Sequence, residues 1–91
     1  MTNKENQEQL LEFPCSFAVK VMGINDNDYP GFVLEVAQKY VAGLDRDCVS
    51  SRLSKNGKYI AVTLTFLAQS KEQIDNIYIE LNASDRTKMA L

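Results

Sequence analysis

Hydrophobic positions in this chain alternate with a period of two in some stretches and recur at helical spacing in others, and these switches divide it into six elements. Across residues 16–24, Phe17, Val19 and Val21 alternate with Ala18, Lys20 and Met22, which predicts a strand. Asn25-Asp26-Asn27-Asp28 follows as a turn run. Asp28 is placed to cap a helix, with Pro30 in its first turn. Tyr29, Phe32, Val33, Val36 and Tyr40 then recur at helical spacing, with Ala37 and Val41 beside them and Gly43 as the expected terminator. Residues 48–53 read as a short polar strand suited to a sheet edge. Lys55-Asn56-Gly57-Lys58 predicts a type I′ hairpin, in which both central residues take positive φ. The returning strand, 59–67, puts Ile60, Val62, Leu64 and Phe66 on one face and Tyr59, Ala61, Thr63 and Thr65 on the other. Ser70 and Gln73 form a capping box for a second helix with an inner stripe of Ile74, Ile77, Tyr78 and Leu81 and Asn82 as its left-handed cap. Residues 86–91 complete the series as a strand with Met89 and Leu91 inward.

The order strand–helix–strand–strand–helix–strand, joined by right-handed crossovers, predicts an α+β fold. It is a ferredoxin-like (βαββαβ) two-layer sandwich: a four-stranded antiparallel sheet with two helices on one face. The first and third strands are central. Phe17, Val19, Val21, Ile60, Val62, Leu64 and Phe66 face the helices. The opposite face carries Lys20, Met22, Cys48, Ser50, Arg52, Tyr59, Ala61, Thr63, Thr65 and Lys88.

Composition narrows what such a domain does. The 91 residues suffice for one domain, expected over 10–91, with residues 1–9 a flexible polar tail. Leu10, Leu11 and Phe13, closed by Pro14, form an apolar cluster expected to dock on the domain. A net charge of −2 gives no bulk attraction to nucleic acid or to an anionic membrane. No apolar run is long enough for a membrane helix, and the polar start lacks a signal-peptide pattern. The two cysteines, Cys15 and Cys48, read as reduced thiols of a cytoplasmic protein. Histidine is absent, and with it the commonest general base and transition-metal ligand. No catalytic residue, metal site or cofactor is therefore expected.

Binding residues are easier to nominate. Asp28 and Gly31 mark the ligand-binding candidate. Gly31 lets a ligand approach the backbone and the helix start offers free N–H donors, while an ordinary capped helix start accounts for the same residues. Phe13, Pro14, Lys20, Met22, Lys55, Lys58 and Tyr59 are the partner-binding candidates, on the open sheet face, in the docking segment and at the hairpin. The open face admits cover by the 10–13 segment or by a second subunit, hence a homodimer. It also admits RNA, the alternative reading, against which stands the presence of one aromatic, Tyr59.

Two resemblances extend this reading. Asp28-Tyr29-Pro30-Gly31-Phe32-Val33 resembles the ligand loop of ACT domains, regulatory modules with this element order that often bind amino acids at subunit interfaces. Over residues 10–91 the chain resembles the YbeD family of small bacterial proteins. The resemblance rests on Leu10-Leu11-Glu12-Phe13-Pro14, Phe17, Lys20-Val21-Met22-Gly23, Ser54-Lys55-Asn56-Gly57-Lys58-Tyr59, Glu72-Gln73-Ile74, Tyr78-Ile79-Glu80-Leu81 and Met89-Ala90-Leu91. That family is similar in fold to ACT domains. The resemblance implies a non-catalytic regulatory or interaction module acting on a protein partner such as a metabolic enzyme, with or without a small metabolite such as an amino acid. It supplies no catalytic residues.

Overall fold

The computed structural model describes residues 12–91; Leu10, Leu11 and the expected tail lie outside the described residues. The elements are β1 (Cys15–Ile24), α1 (Tyr29–Gln38), a 3-10 turn (Arg46–Cys48), β2 (Val49–Leu53), β3 (Tyr59–Ala68), α2 (Lys71–Asn82) and β4 (Thr87–Ala90). The four strands form one antiparallel sheet in the order β2-β3-β1-β4, the ferredoxin-like arrangement.

β1 and β3 pair without a break from Cys15↔Ala68 to Ile24↔Tyr59. Their alternation sends Val19, Val21, Ile60, Val62, Leu64 and Phe66 under the helices, where they are buried. α1 contributes Tyr29, Val33, Leu34, Val36 and Ala37 to the same core, and α2 contributes Ile74, Ile77 and Leu81. Phe13 packs against this core from the helix side. The helices are also tied to each other. Lys39 and the Tyr40 hydroxyl both donate to Glu80, and Gln73 Nε2 donates to the Tyr40 carbonyl at 2.9 Å. Lys39 first, then Tyr40, holds the Glu80 carboxyl below the ordinary carboxylate range.

Several local expectations are corrected. α1 stops at Gln38, not at Gly43, because Tyr40 and Val41 turn toward α2 and the core; Gly43 takes its left-handed conformation (φ 82°) in the loop beyond. The hairpin is not type I′. Gly57 alone has positive φ (77°), in a turn closed by Gly57 N–H donating to the Ser54 carbonyl at 2.9 Å. The Ser54 hydroxyl meanwhile accepts from Tyr59 N–H, so side-chain bonds rather than a two-residue loop set this register. Gln73 returns its capping bond to Gln69 N–H rather than to Ser70. Asn82 stays helical, and Ala83 is the right-handed cap. Cys48 lies in the 3-10 turn and packs against the core, so it leaves the open face.

The largest correction concerns β4. Met22 pairs with Met89 but Gly23 pairs with Thr87, so Lys88 is the extra residue of a bulge. That insertion reverses the expected parity. Thr87 turns inward, while Met89 sits opposite Met22 on the open face, 52% exposed. Leu91 N–H donates to the Lys20 carbonyl at 2.8 Å, which carries the alternation on and puts Leu91 on the same face.

Gly23 explains why the chain bulges there. Tyr29, 1% exposed, lays its ring where a Gly23 side chain would stand. A Cβ at Gly23 would come within 2.5 Å of the Tyr29 ring and 2.6 Å of the Arg86 carbonyl. We expect Gly23→Ala to cost about 1–3 kcal/mol, the range for overpacking a filled core, as read by urea unfolding. An unchanged midpoint would show that the ring is free to move.

Candidate functional site

Two regions hold the residues nominated from the sequence: the loop between β1 and α1, and the sheet face away from the helices.

The loop begins where β1 ends. Asn25 N–H donates to the Lys58 carbonyl at 3.0 Å and its side chain donates to the Gly57 carbonyl at 2.9 Å, which ties the loop to the hairpin. Asn27 and Asp28 are both left-handed (φ 50° and 55°), a conformation that Asn and Asp tolerate better than other side chains. Arg86 secures it. Its guanidinium donates to the carbonyls of Asp26 (3.0 Å) and Asn27 (2.6 Å) and stacks over Phe32, 4.7 Å from the ring centre.

Asp28 caps α1 as expected, accepting from Gly31 N–H at 3.2 Å. Its second oxygen accepts from Arg46 at 2.7 Å. Gly31 permits this geometry, since a Cβ there would overlap the Asp28 carboxylate. The structure thus brings Asp28 and Gly31 together in an open cleft of about 320 Å3, lined also by Asn27, Phe32, Arg46 and Arg86. Donation from Arg46, then from Gly31 N–H, holds the Asp28 carboxyl below the ordinary aspartate range. Arg46 and Arg86 were not legible as site residues. They reach the loop from 18 and about 60 positions away, and no local pattern announces either.

The open sheet face gathers most of the partner candidates. Lys20 and Met22 lie on β1 and Tyr59 opens β3. Reading the register across the sheet gives two central rows. One runs Arg52–Ala61–Met22–Met89 and the other Ser50–Thr63–Lys20–Leu91. Ile24, opposite Tyr59, extends the apolar end. Of six large hydrophobics left exposed among the described residues, Ile24, Leu67, Met89 and Leu91 belong to this face by alternation. Lys55 and Lys58 stand at the hairpin beside it, Lys58 Nζ lying 5.5 Å from the Tyr59 ring centre. Phe13 is not brought to this face, since it is half-buried against the core, and Pro14 follows it through a cis peptide bond, exposed just before β1. Cys15 and Cys48 are free, half-buried thiols. No helix among the described residues is long and apolar enough to cross a membrane, and none of their His, Cys, Asp and Glu side chains group as a metal site.

Comparisons with known proteins follow the same outline. Residues 8–91 match a family described as a protein of unknown function, DUF493. A UPF0250 protein of Shewanella woodyi is 41% identical over 85 residues, 92% of this chain and 93% of its own length. A UPF0250 protein of Neisseria gonorrhoeae is 34% identical over 91 residues, 100% of both chains. The solution structure of HP0495 from H. pylori matches with a TM-score of 0.75 at 14% identity, covering 100% of this chain and 96% of that one; this likeness shows the common fold.

The Asp28 carboxyl offers a direct check on the loop. A carbon-detected NMR titration should place its pKa below that of an ordinary aspartate, and Arg46→Met should raise it. Because the folded value is depressed, the stabilisation is present above the unfolded pKa and is lost as pH falls through the folded one. An Asp28 titration unmoved by Arg46→Met would remove the ion pair from the loop's description.

Proposed function

The chain belongs to the DUF493 family, which includes the YbeD-like proteins, and from that premise we propose that it is a non-catalytic interaction module. It engages a protein partner with the open face of its sheet, a metabolic enzyme being the partner class, and regulates that partner by binding. The observation that carries this reading is the clustering of Met22, Met89, Leu91, Ile24 and Ala61 on the face the helices leave bare. Contiguous apolar surface with a polar rim is a mark of interaction sites. Methionines suit it, since their unbranched side chains repack against varied shapes.

The non-catalytic part rests on residue chemistry. The chain has no histidine. Among the described residues, the two carboxyls with lowered pKa, Asp28 and Glu80, are ionised ion-pair partners, the opposite of a carboxyl raised toward neutrality for acid–base work.

The test uses the full chain as bait in lysate of its source organism, beside a Met22→Glu/Met89→Glu variant of unchanged melting temperature. We expect one enzyme to be retained by the wild type and depleted about tenfold by the variant, and its activity to change when purified chain is added. Equal retention by both baits would overturn the reading.

A second reading has its own observation. Two guanidiniums, Arg46 and Arg86, arrive from separate loops at the cleft that holds Asp28 and Gly31. This arrangement suits a small carboxylate such as an amino acid, displacing the Asp28 carboxylate from Arg46. A thermal-shift screen of amino and 2-oxo acids should then give a concentration-dependent rise in melting temperature that Arg46→Met abolishes. A flat response across the screen would dismiss it.

A further inference from the structure

We propose that the partner seated on the open sheet face is an acidic protein segment with aliphatic anchors; this rests on the open-face reading and specifies the chemistry of its partner.

Charge is segregated between the two layers of the fold. The chain holds 12 acidic and 10 basic residues, yet none of its four strands contains Asp or Glu. The strands carry Lys20, Arg52 and Lys88, and the hairpin adds Lys55 and Lys58. Ion pairs form elsewhere. Lys39–Glu80, Arg46–Asp28 and Lys71–Asp75 all lie in the helix layer and the loops beside it. Among the described residues, the side chains of Lys20 and Arg52 have no acidic partner. A chain of net negative charge thus presents, among the described residues, a sheet face whose charges are positive and have no acidic partner.

Geometry sorts the face into two halves. At the β2 side, Ser50, Ser51, Arg52, Ala61 and Thr63 line a shallow depression with hydroxyl and guanidinium donors. At the β4 side, Met22, Met89 and Leu91 make an aliphatic patch with Lys20 between the halves. In the row Arg52–Ala61–Met22–Met89 the outermost two residues, Arg52 and Met89, are three strand spacings apart, about 14 Å. A fitting segment sets a carboxylate on Arg52 and an aliphatic side chain on Met89 at that separation, reaching over Met22, with a second acid near Lys20.

Two other occupants fit less well. A two-fold pairing of this face with itself brings Lys20 and Arg52 of each copy toward the same cationic surface, a like-charge juxtaposition with no acid to relieve it. Single-stranded nucleic acid wants aromatic platforms on the central strands. The central positions here are Ala18, Lys20 and Met22 on β1 and Ala61, Thr63 and Thr65 on β3. The one aromatic of the face, Tyr59, is at the strand's start with Lys58 over its ring.

The experiment is selection of a random-peptide phage library on the full-length chain, followed by binding of the selected peptides to three variants: Lys20→Glu/Arg52→Glu, Met22→Ser/Met89→Ser and Met89→Ser. All substitute side chains outside the buried core, and Met89→Ser, at the half-exposed edge, serves if the double methionine variant is unstable. The expected result is a set of peptides enriched in Asp and Glu together with Leu, Ile, Val or Met. Their affinity falls about tenfold with the charge reversal, falls with the methionine variants, and weakens with added salt. Peptides lacking acid excess that still lose binding to the methionine variants would overturn the acidic partner and leave the open-face reading standing. Peptides indifferent to all three variants, or no enrichment at all, would overturn both. Two further outcomes count against the proposal: a dimer in sedimentation that the charge reversal alters, and polyuridine binding at low salt that it abolishes.

Discussion

The packing of the Tyr29 ring against Gly23 organises the end of this molecule where its loops meet. Because Gly23 has no side chain, the ring of the first residue of α1 lies over the end of β1. Burial pushes the Tyr29 phenol up from its ordinary value, while a hydrogen bond of 2.6 Å to Thr87 Oγ1 satisfies the hydroxyl that burial would otherwise strand. That bond reaches β4, so one side chain joins the start of a helix, the end of a central strand and an edge strand. Arg86, one residue before β4, closes the same junction from outside by stacking on Phe32 and holding the carbonyls of Asp26 and Asn27.

This junction sets the position of both candidate surfaces. The cleft of Asp28, Gly31, Arg46 and Arg86 is its outer wall. The bulge at Lys88 is its consequence on the sheet, because Thr87 must face Tyr29 while the next paired residue, Met89, must meet Met22. The insertion of one residue turns two large apolar side chains out of the expected core and onto the open face. An apolar half of that face therefore exists because a tyrosine hydroxyl required a partner on β4.

At the other end, a different set of bonds joins the helix layer. Lys39 and Tyr40 converge on Glu80, and Gln73 links the start of α2 to the chain beyond α1. The paired acids Asp28, Asp75 and Glu80 thus sit with their cations among helices and loops, and the strands carry cations alone. The division is electrostatic as well as architectural, and it gives the two layers different surfaces to offer.

Much of this was legible in the chain itself. Alternation in β1 and β3 and the stripe of α2 follow from side-chain periodicity, and the Asp28 and Ser70 caps follow from local hydrogen bonding; such signals span a few residues and need no partner. The YbeD-like resemblance was legible too, in short motifs spread along the chain. What sequence could not decide were the features whose cause lies across the fold. The type I′ expectation failed because Ser54 bonds across the loop. Gly43 lost its role as terminator because Tyr40 turns to Glu80. Met89 and Leu91 changed faces because Tyr29, about 60 residues earlier, holds Thr87 inward. Arg46 and Arg86 acquired a place beside Asp28 only when their loops were brought together. Local periodicity and capping are properties of a segment, so the sequence by itself determined the elements and their order. Register at an edge strand and the company each charge keeps depend on contacts between distant segments, and only the tertiary structure decided them.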